Sequence, residues 1–292
     1  MSSTERTPRV VACMPTYKAA GFIEPTLQSL AAQTYANLQV LISDDASPDG
    51  TFDLCRRFAE GRPQFEVHRQ ARNLGWIGNV NWLLEHAEAE YVFFAFHDDP
   101  LEPGYVQALV DALECSPDAV LAFTDAVVDF RGESESWVRP MSYTELDGLG
   151  TARERLAVLA QRTGLWWLPN RGLFRKSAAV RVGGMRRHLG GEFCADWPWL
   201  LHLSLLGAFV RVPQPLVRKV WSHEGLSKSW HWSAHKRVAV TLACLTEILR
   251  ADLPVNERMR LAADFSGYWI VRWALSAARS VARATRSSLP AR

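Results

Sequence analysis

The chain has 292 residues, with 33 Lys+Arg against 31 Asp+Glu, a formal charge of +2 with histidine neutral. Its 48% hydrophobic and 22% charged residues are the balance of an ordinary globular protein, which excludes a disordered chain and a fibrous repeat. Near-neutral charge gives no support to nucleic-acid binding, for which a strongly basic domain is expected.

In chain order, strands and helices alternate through the first half. Arg9–Met14 is a short β-type run, and Phe22–Gln33 reads as a helix with Ile23, Leu27, Leu30 and Ala31 on one face. Leu38–Ser43 is a second strand, and Thr51 opens a helix with Phe52, Cys55, Phe58 and Ala59 at helical spacing. Phe65–His68 is a third strand, Gly78–Ala87 a helix, Tyr91–Phe96 an apolar fourth strand, Pro103–Glu114 a helix and Ala119–Phe123 a fifth strand. Such alternation argues for a parallel sheet with helices on both faces, and near-continuous apolar strands agree, because parallel strands are buried on both sides.

The second half is less regular. Asp129–Gly150 is polar and turn-rich, and Thr151–Gln161 and Phe193–Leu206 read as helices. Ala208–Val212 and Leu216–Trp221 read as two short strands, and helices Ala234–Arg250 and Asn256–Arg283 close the chain. There is no internal repeat or low-complexity linker. The expected organisation is a main domain over 1–230, with a donor half near 9–125 and an acceptor half near 126–230, followed by a helical extension over 231–292.

Five scattered cysteines (Cys13, Cys55, Cys115, Cys194, Cys244) form no CxxC pair, which excludes a disulfide framework or zinc knuckle and suits a reducing cytoplasm. Met1–Val10 carries Glu5 and Arg6 and no apolar segment, so no signal peptide is expected. No run of about 18 apolar residues occurs, so no spanning helix is expected. The twelve tryptophans cluster in the second half, where most are expected in the core and a subset could stack on a sugar or base.

In a parallel α/β sheet, ligands bind beyond the carboxyl ends of the strands. Three strands end there in polar residues: Pro15-Thr16-Tyr17-Lys18, Asp44-Asp45 with Ser47 and Asp49, and His97-Asp98-Asp99-Pro100. Ser47 and Asp49 fit helix capping better than ligand binding. Asp98 and Asp99 are two adjacent carboxylates that repel each other, and a divalent cation, Mn2+ or Mg2+, would remove that penalty while completing its shell with substrate phosphates. The edge therefore reads as a nucleotide diphosphate site, with Asp45 placed to accept from base N–H groups and Asp98 to hold a ribose hydroxyl. Neither G-x-G-x-x-G nor G-x-x-x-x-G-K-[ST] is present.

The ordered set Pro15-Thr16-Tyr17, Leu30 with Gln33-Thr34-Tyr35, Asp44-Asp45 through Thr51, Asn73 to Gly75 with Asn79, and Asp98-Asp99 resembles family-2 glycosyltransferases of the GT-A fold. The resemblance continues through Leu173–Lys176, Val182-Gly183-Gly184 and Ala195-Asp196-Trp197 to His223. It implies a mostly parallel GT-A-type sheet with flanking helices, a Rossmann-like nucleotide-binding half and the helical extension. It also implies inverting transfer from a nucleotide diphosphate sugar, UDP or dTDP favoured, to a glycan or lipid-linked hydroxyl in surface polysaccharide or glycolipid synthesis.

By that similarity Pro15, Thr16, Tyr17, Asp45, Arg72 and Asp98 would bind the nucleotide. Asp99 and His223 would hold the metal, and Asp196 would be the base; the dull reading of Asp196 is a charge favoured at a helix N-terminus. Trp166, Trp167, Arg171, Glu192 and Lys228 would face acceptor or phosphate, each with a packing or solvent alternative. The family commonly has Asn at Lys18 and an acid at Ala195, and Phe96 and His97 stand where the first acid of Asp-x-Asp is usual. The tail helix sets Leu261, Phe265, Trp269 and Trp273 at i+4 steps with Arg272, Arg279, Arg283 and Arg286 around it. That pattern suits either a membrane interface or packing on the domain. The rival functions are a sugar-phosphate nucleotidyltransferase, which should carry a Gly-rich basic loop after the first strand, and a non-catalytic nucleotide-sugar or glycan-binding module.

Overall fold

The computed structural model describes residues 7–131, 136–161, 166–221 and 231–270. Strand β1 (Val10–Thr16) is buried along its whole length and pairs in parallel with β2 (Leu38–Asp44) and β4 (Tyr91–Phe94), while β2 pairs in parallel with β3 (Phe65–Arg69). The register matches Thr16 with Asp44, so the carboxyl ends of β1 and β2 finish side by side. Helices α1 (Glu24–Ala31), α2 (Thr51–Ala59), α3 (Gly75–His86) and α4 (Tyr105–Glu114) connect and flank these strands, as the apolar spacings predict. Strand β4 is shorter than expected: it ends at Phe94, which leaves Phe96 in the turn that carries Asp98 and Asp99.

The second half adds the antiparallel strands of the mostly parallel sheet that was expected. The eight-stranded sheet runs β3-β2-β1-β4-β7-β5-β6, with β8 on the other side of β5. Strand β7 (Leu173–Arg175), unassigned from sequence, inserts antiparallel between β4 and β5 (Ala119–Arg131). Gly172 permits this: a Cβ there would lie 2.5 Å from the Ala122 carbonyl oxygen, closer than any side chain tolerates. The stretch expected to be turn-rich holds the end of β5 and a further antiparallel strand, β6 (Ser136–Met141), whose residues are mostly exposed and so lack an apolar run to announce them.

The two short strands expected after residue 207 are one, β8 (Ala208–Trp221), parallel to β5. Its register jumps where Thr124 opposes Val212 and Asp125 opposes Pro215, so Pro213 and Gln214 fall in an irregularity. Proline cannot donate to the ladder and is tolerated at such places.

Helices α5 (Ala152–Gln161), α6 (Lys176–Val182) and α7 (Asp196–Leu206) cover this half. Every residue of α7 from Asp196 to Leu205 is buried, because the helix is apolar on all sides and lies between two cores. Trp199, Leu200 and Leu203 join the core under the sheet, where Trp199 packs on Phe94 and Phe174 with ring centroids 5.6 and 5.1 Å away. Trp197, Leu201 and Leu205 join a second core with α8 (Ala234–Arg250) and the helical residues 255–270. His202 on α7 meets Glu247 on α8 at 2.7 Å, and Arg250 completes that buried cluster.

Leu261, Phe265 and Trp269 are at most 7% exposed and belong to the second core. Of the two readings of the tail stripe, packing on the protein's own body holds for these residues. Trp273 and the arginines of the stripe, Arg272, Arg279, Arg283 and Arg286, lie outside the described residues. Among the described residues, no helix is long and apolar enough to cross a membrane.

Candidate active site

The site is built where β1, β2 and β4 end, opposite the start of α7. Backbone N–H groups of residues 18–20 after β1 are held by the segment after β2. Lys18 N donates to Ser47 Oγ (3.1 Å), Ala19 N to Thr51 Oγ1 (2.8 Å) and Ala20 N to Asp49 Oδ2 (3.4 Å). Asp49 also accepts from Thr51 N and Oγ1 at the start of α2, but the N-cap is Gly50 and carries no side-chain cap, so Ser47 and Asp49 brace the loop after β1 rather than cap the helix as expected. The N–H groups that a phosphate-binding loop would present are therefore engaged within the protein.

Asp45 is buried, and its carboxylate accepts from Leu74 N (2.6 Å) and Gly75 N (3.0 Å) at the start of α3. Burial raises its pKa above the ordinary carboxylate range even against those two bonds. Glu192, expected at the acceptor, is also engaged here: Oε2 accepts from Trp76 N (3.1 Å) and Oε1 pairs with Arg187 (2.8 Å). Two carboxylates thus take N–H groups that a helix N-terminus leaves unpaired. Gly75, at φ +79°, leaves room for Glu192, whose Oε1 would lie 2.6 Å from an added Cβ. The neighbouring Asp44, whose role the sequence left unassigned, accepts from Ser47 N through Oδ2 (3.0 Å), while its buried Oδ1 has no hydrogen-bond partner.

Thr16 is buried and bonds the Ser43 carbonyl, Pro15 is buried, and Tyr17 and Arg72 are exposed. His97 fixes the β4 turn to β1 through the Pro15 carbonyl at 3.0 Å.

Asp98 and Asp99 follow that turn. The repulsion that suggested a metal is met here by two protein cations. Arg171 Nε lies 2.5 Å from Asp99 Oδ2, and Lys219 Nζ lies 3.1 Å from Asp99 Oδ1 and 3.3 Å from Asp98 Oδ2. The Lys219–Asp99 approach is an ion pair without hydrogen-bond geometry, so the buried Oδ1 has no hydrogen-bond partner. Burial pushes Asp98 up, but Lys219, with His97 and Arg171, outweighs it and holds this carboxyl below its usual range.

Arg171 is itself seated between Phe96 and Trp167, with its carbon at 4.7 and 5.1 Å from the ring centroids, and donates to the Trp167 carbonyl. Expected at acceptor or phosphate, Arg171 is instead the partner of Asp99. Trp167 flanks it, and Trp166 packs half-buried against both cores.

The short 3-10 turn Pro169–Arg171 joins the two halves of the site. Arg171 takes Asp99, and its neighbour Asn170 donates through Nδ2 to Asp196 Oδ2 at 2.8 Å. Asp196 opens α7, and its buried Oδ1 has no hydrogen-bond partner. Burial pushes its pKa up to about 7, against opposing pulls from its own and Trp197's N–H groups, Arg171 and Asn170. Lys18, Ala46 and Cys194 are the non-glycine residues with left-handed backbone among those described, at φ 52°, 55° and 49°. Each lies within two residues of Tyr17, Asp45 or Asp196. Unfavourable backbone of this kind tends to collect at functional sites.

His223 and Lys228 lie outside the described residues. Among the described residues, no group of three or more His, Cys, Asp or Glu gathers as a metal cage. The sequence reading missed Lys219 and Asn170. A charged residue within the β8 run and the unbalanced Asp98-Asp99 pair were the available signals for Lys219.

A family model described as Glycosyl transferase family 2 matches residues 11–175, from β1 through β7. The chain belongs to glycosyltransferase family 2. Among curated relatives, Escherichia coli glycosyltransferase YibD is 24% identical over 242 residues, which cover 82% of this chain and 67% of YibD. The processive diacylglycerol beta-glycosyltransferase of Mycoplasma pneumoniae is 27% identical over 104 residues, covering 35% of this chain and 30% of that protein. With Bacillus subtilis EpsH the covered share is 33% of that protein, so the chain's match spans about a third of both of these family members.

Solved structures show the family's GT-A-like fold. Staphylococcus aureus TarS 1–349, crystallised with UDP-GlcNAc, superposes with TM-score 0.67 at 17% identity, over 89% of this chain and 72% of that one. The Pyrobaculum calidifontis mannosyltransferase PcManGT, in complex with GDP-Man and Mn2+, gives TM-score 0.64 at 19% identity, over 98% and 77%.

Proposed function

We propose that this chain transfers a sugar from a nucleotide diphosphate donor to a hydroxyl of a glycan or lipid-linked acceptor, with inversion at the anomeric carbon. The observation that supports this best is Asp196: a buried carboxyl with a pKa of about 7 and one unpartnered oxygen, tied through Asn170 and Arg171 to Asp99. A base must take the acceptor proton as the new C–O bond forms, and it works best with a pKa near the operating pH. In this reading Asn170 orients Asp196 by holding Oδ2, which leaves Oδ1 for the acceptor hydroxyl. The leaving group is a stabilised diphosphate, so no acid carboxyl is required on the other side.

Asp45 and Asp98 are the proposed base and ribose ligands, with the unpartnered Asp44 Oδ1 a further acceptor beside Asp45. Pro15, Thr16, Tyr17 and Arg72 would border the nucleotide, which we take to carry uridine or thymidine. The engaged N–H groups of residues 18–20 speak against the nucleotidyltransferase alternative.

A divalent cation, Mn2+ or Mg2+, fits the donor set. Asp98 and Asp99 offer hard oxygen ligands, and a cation, the Lys219 ammonium, already stands between them. Asp98 and Asp99 would hold the ion, with His223 a further ligand and water and diphosphate oxygens completing the shell. When bound, it would stabilise charge developing on the leaving diphosphate. A lipid-linked acceptor would place the reaction at the cytoplasmic membrane face, where the arginines of the 271–292 tail would meet anionic lipid.

Thermal unfolding with a panel of nucleoside diphosphates and their sugars, each with and without Mn2+, tests the donor site, since a ligand that binds only the folded state raises its stability. The expected result is a metal-dependent rise in Tm with UDP or dTDP species. If every nucleotide leaves Tm unmoved in the presence of Mn2+, the donor assignment fails.

A further inference from the structure

Lys219 is tied to the acidic pair by backbone as well as by charge. Glu102 N donates to the Leu216 carbonyl (2.9 Å) and Arg218 N to the Pro100 carbonyl (2.9 Å), and Leu101 bridges to Val217. These contacts fix the turn that follows Asp99 against β8, so the position of Lys219 opposite Asp98 and Asp99 is set by the fold. Its side chain is 16% exposed, and its ammonium reaches one oxygen of each carboxylate. The charges of Asp98, Asp99, Arg171 and Lys219 sum to zero without any added ion.

We infer that Lys219 is a placeholder cation: its ammonium holds the metal position between Asp98 and Asp99 in the unliganded protein and is displaced when metal and diphosphate arrive together. The inference rests on the proposed function for the identity of the ion. Adding a divalent cation alone would bring two positive charges against the ammonium in a largely buried site. Adding it with a doubly negative diphosphate restores the balance and gives the freed ammonium a phosphate to pair with. Metal and donor then strengthen one another's binding, as reciprocal coupling requires. Lys219 is thus a positioning residue that sets the order of assembly.

The test uses the full chain and Mn2+ alone, with bound ion measured by loss of the free Mn2+ paramagnetic resonance signal. Lys219→Gln removes the competing charge and should bind Mn2+ at least about tenfold more tightly than the wild type, because like charges a few ångströms apart repel strongly in a part-buried site. Lys219→Arg keeps the charge and should stay as weak as the wild type. If Lys219→Gln fails to fold, Lys219→Met, which keeps the aliphatic stem, is read in the same way. A neutral variant that binds Mn2+ no more tightly than the wild type overturns the inference, as does a Lys219→Arg chain that tightens equally. The comparison involves no nucleotide. Tightening without any nucleotide response would keep the placeholder and sink the donor site, and the converse result would do the opposite.

Discussion

Asp196→Asn is expected to lose nearly all transfer activity and, at pH 8, to unfold at a higher temperature than the wild type. Positioned general bases contribute about 10²- to 10⁴-fold, and an amide cannot take a proton, so kcat should fall by that order. The stability change follows from the same burial. The Asp196 carboxyl has an ordinary value of 3.8 and stands at about 7 in the folded protein. Between those values the folded state holds a proton that the unfolded chain has released, so this contribution is complete below about pH 4 and is lost as pH rises through 7.

At roughly 1.4 kcal/mol per tenfold change in proton affinity, an ionised Asp196 destabilises the fold by up to about 4 kcal/mol above pH 7. Asparagine removes that penalty. The two proteins should unfold alike near pH 4 and separate by pH 8, as read by denaturant titration at both pH values. Wild-type kcat/KM should fall with decreasing pH through an inflection near 7. A variant that is inactive but less stable at pH 8 would mark Asp196 as a structural residue of α7 and leave the base unassigned.

Arg171→Met should be among the most destabilising single changes in the molecule. Asp99 is 2% exposed, and its bond to Arg171 is the hydrogen-bonded half of its charge balance. Removing one partner of a buried ion pair costs about 3–5 kcal/mol, because the other charge remains buried. Loss of the stacking on Phe96 and Trp167 adds to this. Adding Asp99→Asn to the same chain removes the stranded charge and should recover a substantial part of the loss, so the two changes are far from additive. Equilibrium unfolding of the single and double variants measures the coupling. Strict additivity would mean that Lys219 alone balances Asp99.

The first half of the fold was legible because its strands are buried on both sides and read as apolar runs, and because the polar residues at their carboxyl ends interrupt those runs abruptly. Asp98 and Asp99 could be singled out because two adjacent carboxylates after an apolar strand need a partner, whereas Asp196 stood out only through the resemblance to the family's motif. The second half was less legible because its strands are of other kinds. Strand β7 has three residues and depends on Gly172 for its close approach, β6 is largely exposed, and the prolines of β8 mimic a break. For partners contributed from afar, the sequence signalled at most the need for one, as the unbalanced Asp98-Asp99 pair did, and not where it would come from. Nothing near Asp98 in sequence indicates that Lys219, 121 residues away, would neutralise it, or that Glu192 would cap a helix 116 residues before it.

In the proposed reaction, Asp196 takes a proton from a nucleophile that attacks the face of the sugar opposite the departing diphosphate. With water in place of the acceptor, and with the donor nucleotide that raises Tm, proton NMR of the newly released sugar reads the stereochemistry before the anomers equilibrate. The first-formed sugar is expected to have the anomeric configuration opposite to that in the donor, and Asp196→Asn to release none above background. First-formed sugar with the donor's own configuration would contradict the proposed reaction.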